Sequence, residues 1–392
     1  MKKKIFVRAP CLSQSGYGEQ ARFALRALRS REDLFEIYIQ PIPWGQTGWI
    51  WEENEFRAWM DSRITQTQVL LQQKKLNPNI SLQITIPNEF QKICPLNIGY
   101  TAGIETNLVA PQWLQKGNEE VDKILVVSNH AKDTYESTAA KATTPDGKTI
   151  DYKLETPVSV GWESTPSSEA EEIPGFDLTN DFNYLIDQDV GLVLKTNLRN
   201  NSVMDLEAVE KQLKAILEPY PERKCKVSLL HGDLSSGQMT GLYTHPKIKA
   251  MINISHGEGF GLPLFEAARE GLPIITIGWS GQTDFLTYNN KPYFQKVNHQ
   301  LKPVQPEARW EGVIRPDSQW AFADQGSYKM TLRKTFKKWE DCKETATELQ
   351  GLLEENFNDE KLHKLFIDEI LGFDSALLKS REDSEEEVME FE

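Results

Sequence analysis

The chain has 392 residues, of which 39% are hydrophobic and 26% charged, and its net charge is −14. That length fits two ordinary domains and that composition a soluble globular protein. No apolar run reaches the roughly 20 residues of a membrane span, and the four scattered cysteines, Cys11, Cys94, Cys225 and Cys342, form no zinc or disulfide framework.

The start, Met1 to Val7, has three lysines but only a short apolar run before Arg8, so it reads as a first strand and not a signal peptide. With the cysteine usage this predicts a cytoplasmic protein. Ile5 to Val7 is a buried strand. Ser15-Gly16-Tyr17-Gly18 follows, and then a helical pattern from Glu19 to Leu28. Gly16 and Gly18 suit both a tight turn and a close approach to a ligand. Arg22, Arg26, Arg29 and Arg31 make this helix notably basic, which reads as a solvated face. Leu96 to Tyr100 and Ile124 to Val127 are strands, and Ser128 is placed to cap a helix that starts near Ala131. Residues 137–181 are polar with one strand, Val158 to Val160, and Thr165 to Gly175 reads as a linker.

Beyond the linker, strands and helices alternate: strand Val190 to Lys195, helix Asp205 to Leu217, strand Lys226 to Leu230, helix Gln238 to Tyr243 and strand Ala250 to Ile254. Such alternation predicts a parallel sheet. Residues 253–285 carry the densest signal. Glu258 and Glu266 are separated by seven residues, with Gly259-Phe260-Gly261-Leu262-Pro263 between them. An amphipathic run to Arg269, the stop Gly271-Leu272-Pro273 and the strand Ile274 to Ile277 follow. The layout is a βαβ unit. A glycine turn before a helix offers backbone N–H groups to an anion, and both carboxylates face the same crevice. Residues 337–370 are mostly helical, and the acidic stretch after Leu378 has the composition of a disordered tail.

This segment resembles the E-x7-E signature of retaining glycosyltransferases of the GT-B fold, family-4 type. The resemblance implies an α/β chain of two Rossmann-like domains facing a cleft, with a C-terminal helix returning to the first. The boundaries are then an acceptor-side domain, 1–165, a nucleotide-sugar-binding domain, 166–375, and an acidic tail, 376–392. In that family the first Glu, here Glu258, contacts hydroxyls of the transferred sugar. The turn Gly259, Phe260, Gly261 and Leu262 meets the donor diphosphate, and Glu266 holds the ribose. The stretches GYTAGIETN and VDKILVVSNHAKDTY resemble the same group, which makes Glu105 a site candidate. Gly16 and Gly18 approach donor phosphates or acceptor. His231-Gly232 resembles the turn near the base, where the backbone binds. His256 either contacts donor oxygens or closes its strand. Trp44, Trp49, Trp51 and Trp59 form either an acceptor surface for stacking on sugars or a hydrophobic cluster under a loop, the second being favoured. GT-B enzymes commonly need no metal, so the resemblance implies neither metal nor cofactor, the donor being a nucleotide-diphosphate sugar. The acceptor is a glycan, a lipid-linked or another hydroxyl. A nucleic-acid partner is disfavoured by the acidic balance.

The sequence also departs from the family. Phe182 to Ile186 and Val190 to Lys195 are separated by only Asp187 to Asp189, and a parallel crossover needs about ten residues or more. Either one run is not a strand, or, as is favoured, a β-α segment of about thirty residues is missing relative to the family, with the basic pair that neutralises the diphosphate. Lys195 and Arg199 are the nearest substitutes. Two further readings follow: a degenerate transferase serving as a sugar- or nucleotide-binding scaffold, and a transferase acting on modified DNA.

Overall fold

The structure, a computed structural model, describes residues 2–143, 147–176, 190–198, 202–223 and 225–388, with 374–388 as backbone alone. Phe182 to Asp189 and Arg199 lie outside the described residues, and so does the test of a missing β-α segment. The chain divides into two compact units. The larger comprises Met1–Pro43, Glu53–Pro166 and Ala250–Glu392, and the smaller Trp44–Glu52 and Ser167–Lys249. The passage at Pro166 falls inside the expected linker.

The larger unit begins with β1 (Lys3–Ala9), α1 (Gly16–Arg29), β2 (Phe35–Pro41), α2 (Glu55–Gln72), β3 (Ile80–Ile84), β4 (Leu96–Thr101), α3 (Pro111–Glu120), β5 (Lys123–Val126), α4 (Asn129–Ser137), β6 (Ala139–Thr143), β7 (Thr149–Lys153) and β8 (Val158–Val160). Six strands form one sheet in the order β2-β1-β3-β4-β5-β8. Every pairing in it is parallel, with Ile5 opposite Ile80 and Leu82 opposite Ile98. Both faces are covered, which is why the strands read as continuous apolar runs without alternation. Parallel pairing sends the carboxyl ends of β1, β4 and β5 to one edge. β6 and β7 form a separate antiparallel hairpin.

Of the four arginines read as a solvated face, Arg31 is exposed and Arg29 partly so, whereas the other two are not. Arg22 and Arg26 are mostly buried and both pair with Glu19, at 2.8 and 3.2 Å. Arg22 also donates to the carbonyls of Cys11 and Ser13, and Arg26 to that of Ser164. Arg29 pairs with Glu55 and Arg31 with Asp33. Arg22 holds the turn before α1 and Arg26 the chain after β8, because a guanidinium fork can serve several acceptors at once.

The smaller unit contains β9 (Gly191–Thr196), α5 (Val203–Leu217), β10 (Lys226–His231) and α6 (Ser236–Thr244). β9 and β10 are parallel, with Lys195 opposite Leu230 and Thr196 opposite His231. α6 starts with a capping box between Ser235 and Gln238. The linker packs on this start, where Ser235 Oγ donates to Glu171 Oε2 at 2.7 Å. The tryptophan-rich stretch is not a buried cluster. Trp49 and Trp51 are 65% and 60% exposed, and Trp59 lies on α2, stacked on Phe56.

The chain re-enters the larger unit through β11 (Met251–Asn253), α7 (Leu262–Arg269), β12 (Ile274–Ile277), α8 (Thr283–Leu286), β13 (Thr287–Tyr288), β14 (Lys291–Pro292), β15 (Gln295–Val297), β16 (His299–Pro303), β17 (Gln319–Ala323), α9 (Gln325–Lys337), α10 (Trp339–Asn356) and α11 (Asp359–Val388). β11, β12 and β15 make a second parallel sheet, and β16–β17 an antiparallel hairpin. Phe260, Phe265, Phe285 and Phe357 pack ring on ring beneath α7 and α8. α11 returns to α1: Phe366 meets Phe23 edge-on at 5.6 Å and Tyr100 at 5.1 Å. Lys123 of β5, nearly buried, pairs with Glu369 at 2.5 Å. The backbone of α11 is helical to Val388, across the acidic stretch, whose Glu, Lys and Arg are good helix formers. Among the described residues no helix is long and apolar enough to cross a membrane.

Candidate functional site

The site is assembled by loops at the carboxyl edge of the larger unit's first sheet. After β1, Ser15 caps α1, its Oγ accepting from Gly18 N at 3.0 Å. A Cβ on Gly18 would lie 2.0 Å from the Ser13 carbonyl oxygen, so the turn is closed to any other residue; at Gly16 the same space is open. Tyr17 reaches across to the loop after β4. Its hydroxyl is 2.7 Å from Thr101 Oγ1 and accepts from Ala102 N at 3.3 Å. Burial holds the Tyr17 phenol protonated to high pH.

The loop after β4 carries Glu105. Burial pushes its carboxyl above the usual range, a backbone hydrogen bond offsets part of this, and the charge of Glu258 adds to it. The two candidate carboxylates, 153 positions apart in sequence, therefore sense one another. The contact is made by glycine. A Cβ on Gly257 would meet the Glu105 carbonyl oxygen at 2.6 Å, and one on Gly259 the Ala102 carbonyl oxygen at 2.5 Å. Only bare backbone lets these two loops touch.

Glu258 is held firmly. Its Oε1 accepts from Asn253 Nδ2 at 2.7 Å and from Ser255 Oγ at 2.9 Å. Its backbone N–H donates to Ser280 Oγ at 2.7 Å, and its carbonyl accepts from Gly281 N at 2.9 Å. Ser280 has φ +69°, a region that costs a non-glycine residue energy and that clusters at functional sites. Gly261, at φ +99°, ends the turn as the N-cap of α7 and supplies no capping side chain. Leu262 and Pro263 open the helix, and Glu266 follows within its second turn, half-buried. Phe260 belongs to the aromatic core, so only its backbone faces the turn.

His256 does not point at the turn. Its ring lies flat on Trp320, 4.5 Å apart, its Nδ1 donates to the Ala321 carbonyl at 2.7 Å, and its Nε2 accepts from Gln305 at 3.4 Å. Both ring nitrogens are thus engaged, one by β17 and the other by Gln305. Asp284 ties three segments: its Oδ2 accepts from Trp162 Nε1 at 2.7 Å and from the backbone and side-chain nitrogens of Asn129 at 2.8 and 3.1 Å.

In the smaller unit, Lys195 is exposed near the end of β9, and His231 and Gly232 close β10. His231 Nε2 is 2.9 Å from Asp205 Oδ2, which also accepts from Leu198 N at 3.0 Å. The imidazole is therefore engaged within the unit, and Gly232, at φ +94°, turns the backbone. Sequence reasoning missed Asp205, Tyr17, Asn253, Ser255 and the orienting role of Ser280. The polar run around Glu258 (NISHGEGFG) was a signal for two of these; Asp205 and Tyr17 left none.

No family model matches the sequence, and none of the curated proteins compared with it matches either. Solved structures do. HepE from Anabaena in complex with UDP-glucose is 10% identical, with a TM-score of 0.55 over 94% of this chain and 99% of that one. Sucrose-phosphate synthase from Thermosynechococcus elongatus is 10% identical, with a TM-score of 0.56 over 96% and 100%. A glycosyltransferase from Rickettsia africae ESF-5 is 12% identical, with a TM-score of 0.52 over 94% and 99%. At such identities the likeness is one of architecture: the chain has the GT-B fold, an α/β fold built on Rossmann-like parallel sheets.

Proposed function

We propose that this chain is a glycosyltransferase that moves a sugar from a nucleotide-diphosphate-sugar donor to an acceptor hydroxyl, with retention of configuration. The observation that carries this reading is Glu258. It is fixed by Asn253, Ser255 and Ser280 on a glycine turn pressed against the loop that holds Glu105. Fold likeness to HepE, solved with UDP-glucose, supports it.

In this reading Glu258 positions the transferred sugar through its hydroxyls. The backbone of Gly259 to Leu262 and the start of α7 meet the diphosphate, and Glu266 holds the ribose. The departing diphosphate is stabilised by preorganised N–H groups and by Lys195 and Arg199, electrostatics being the largest usual catalytic contribution. Burial, with the charge of Glu258 beside it, raises the Glu105 carboxyl above its usual range. The acceptor attacks on the face the diphosphate leaves, and no metal or further cofactor takes part. The protein acts in the cytoplasm on a glycan, lipid-linked or other hydroxyl acceptor.

The test is hydrolysis of a panel of nucleotide sugars, which needs no known acceptor, with the anomer of the released sugar read by NMR. Turnover of at least one donor with release of the retained anomer is expected. An inverted product would overturn retention, and no turnover with any donor would favour a non-catalytic binding protein. Lys195→Ala is expected to weaken donor binding by about tenfold or more, the worth of a charged hydrogen bond. Unchanged calorimetric affinity would show that the phosphates lie elsewhere.

A further inference from the structure

The larger unit holds a recess whose lining contributes none of the bonds to Glu258. Its volume is about 410 Å³, within the range of small-molecule sites. One wall is the start of α3, and the other is segment 309–316 between β16 and β17. Three bonds hold the walls together. Gln319 N donates to Asn107 Oδ1 at 2.7 Å, Asn107 N donates to the Gln319 carbonyl at 3.0 Å, and Asn88 Nδ2 donates to the Gly312 carbonyl at 2.9 Å. Val313 is buried in the cluster around Trp113 and gives the recess an apolar floor.

Arg315 lines this recess and is immobilised. Its Nε and Nη2 clamp Asp317 at 2.8 and 2.6 Å. Its side chain is 15% exposed, and Nη1 is buried with no partner among the described residues, so the guanidinium acts on the recess through its charge. Arg309 is a second cation on the lining. α3 adds the positive end of its dipole, uncapped because Ala110 has no side-chain acceptor. Glu311 lies on the same lining and works against an anion.

We propose that this recess binds an anionic group, a carboxylate or a phosphate ester, carried on a body with an apolar face such as a sugar ring. Arg309 meets one oxyanion oxygen, Arg315 supplies further charge, and the ring rests on Pro111, Val313 and Ile314. The site is additional to the donor site and does not depend on the transferase reading.

Calorimetry on the full chain with glucose 6-phosphate, glucuronate and glucose tests it. At least one anion should bind saturably, glucose should not, and the two anions separate phosphate from carboxylate recognition. Arg315→Gln should weaken binding by about tenfold or more. Arg309→Gln should weaken it too, which keeps the test alive if the first variant misfolds. Glu311→Gln should tighten it, and Lys195→Ala should leave it unchanged, separating this site from the donor phosphates. Equal binding of glucose, indifference to both arginine changes, weakening by Glu311→Gln, dependence on Lys195, or no saturable binding of either anion would overturn the proposal.

Discussion

At the scale of single residues, function rests on backbone approach as much as on carboxylates. Glu258 is bonded through both side chain and main chain, so its rotamer is set before any ligand arrives, which is the preorganisation that electrostatic catalysis needs. Glu258→Gln is expected to keep the fold, because the amide oxygen can still accept from Asn253 and Ser255. It should lower turnover by roughly 100-fold or more. Wild-type rates in a donor-hydrolysis assay would remove Glu258 from the chemistry. Gly281→Ala should be worse for the fold than for the chemistry. Its Cβ would stand 1.9 Å from the Gly259 carbonyl oxygen, so both loops must move, and a drop in melting temperature should accompany the loss of activity.

At the scale of elements, α1 is the best-specified helix. Ser15 caps it, a buried stripe including Ala21, Ala24, Leu25 and Leu28 repeats at helical spacing, and α11 packs along it. Ser15→Ala should cost about 1 kcal/mol in urea unfolding, the usual worth of an N-cap; a change within error would mean that packing alone sets this end. Between these elements Glu163 is 4% exposed and its Oε2 has no partner among the described residues. Burial pushes its carboxyl well above the ordinary range, Glu19 raises it further, and Arg26 offsets part. The sign follows from linkage. An acid whose folded pKa is raised adds stability that is fully present below the unfolded carboxyl pKa of about 4.3, and it is lost as pH rises through the folded value. Glu163→Gln should therefore match the wild type in acid and become progressively more stable relative to it toward alkaline pH. Parallel melting curves across that range would show that Glu163 ionises without penalty.

At the scale of the whole molecule, charge decides partners. The net charge is −14, and the arginines of α1 and the turn after it are engaged by Glu19, Glu55, Asp33 and carbonyl groups. Duplex DNA binding depends on free cations that release counterions, so none is expected at physiological ionic strength. A micromolar complex that weakens steeply with salt would reverse this and reopen the modified-DNA reading.

Much of this was legible in the sequence, because it is local. The apolar runs Leu96 to Tyr100 and Ile274 to Ile277 could only be buried strands, Ser128 could only cap what followed it, and the glycine turn after β11 announced a strand–turn–helix unit whatever surrounded it. What the tertiary structure alone decided is pairing across distance. Nothing near Arg26 in sequence says that the carbonyl of Ser164 will take one of its N–H groups, and nothing near His256 says that Trp320 and Ala321 will occupy its ring. Nor does anything near Glu105 say that Gly257 will be pressed against it from 152 positions away. Periodicity and capping are written in neighbouring residues, whereas the ionisation of a carboxyl and the partner of an imidazole depend on which loops the parallel sheets bring to one edge.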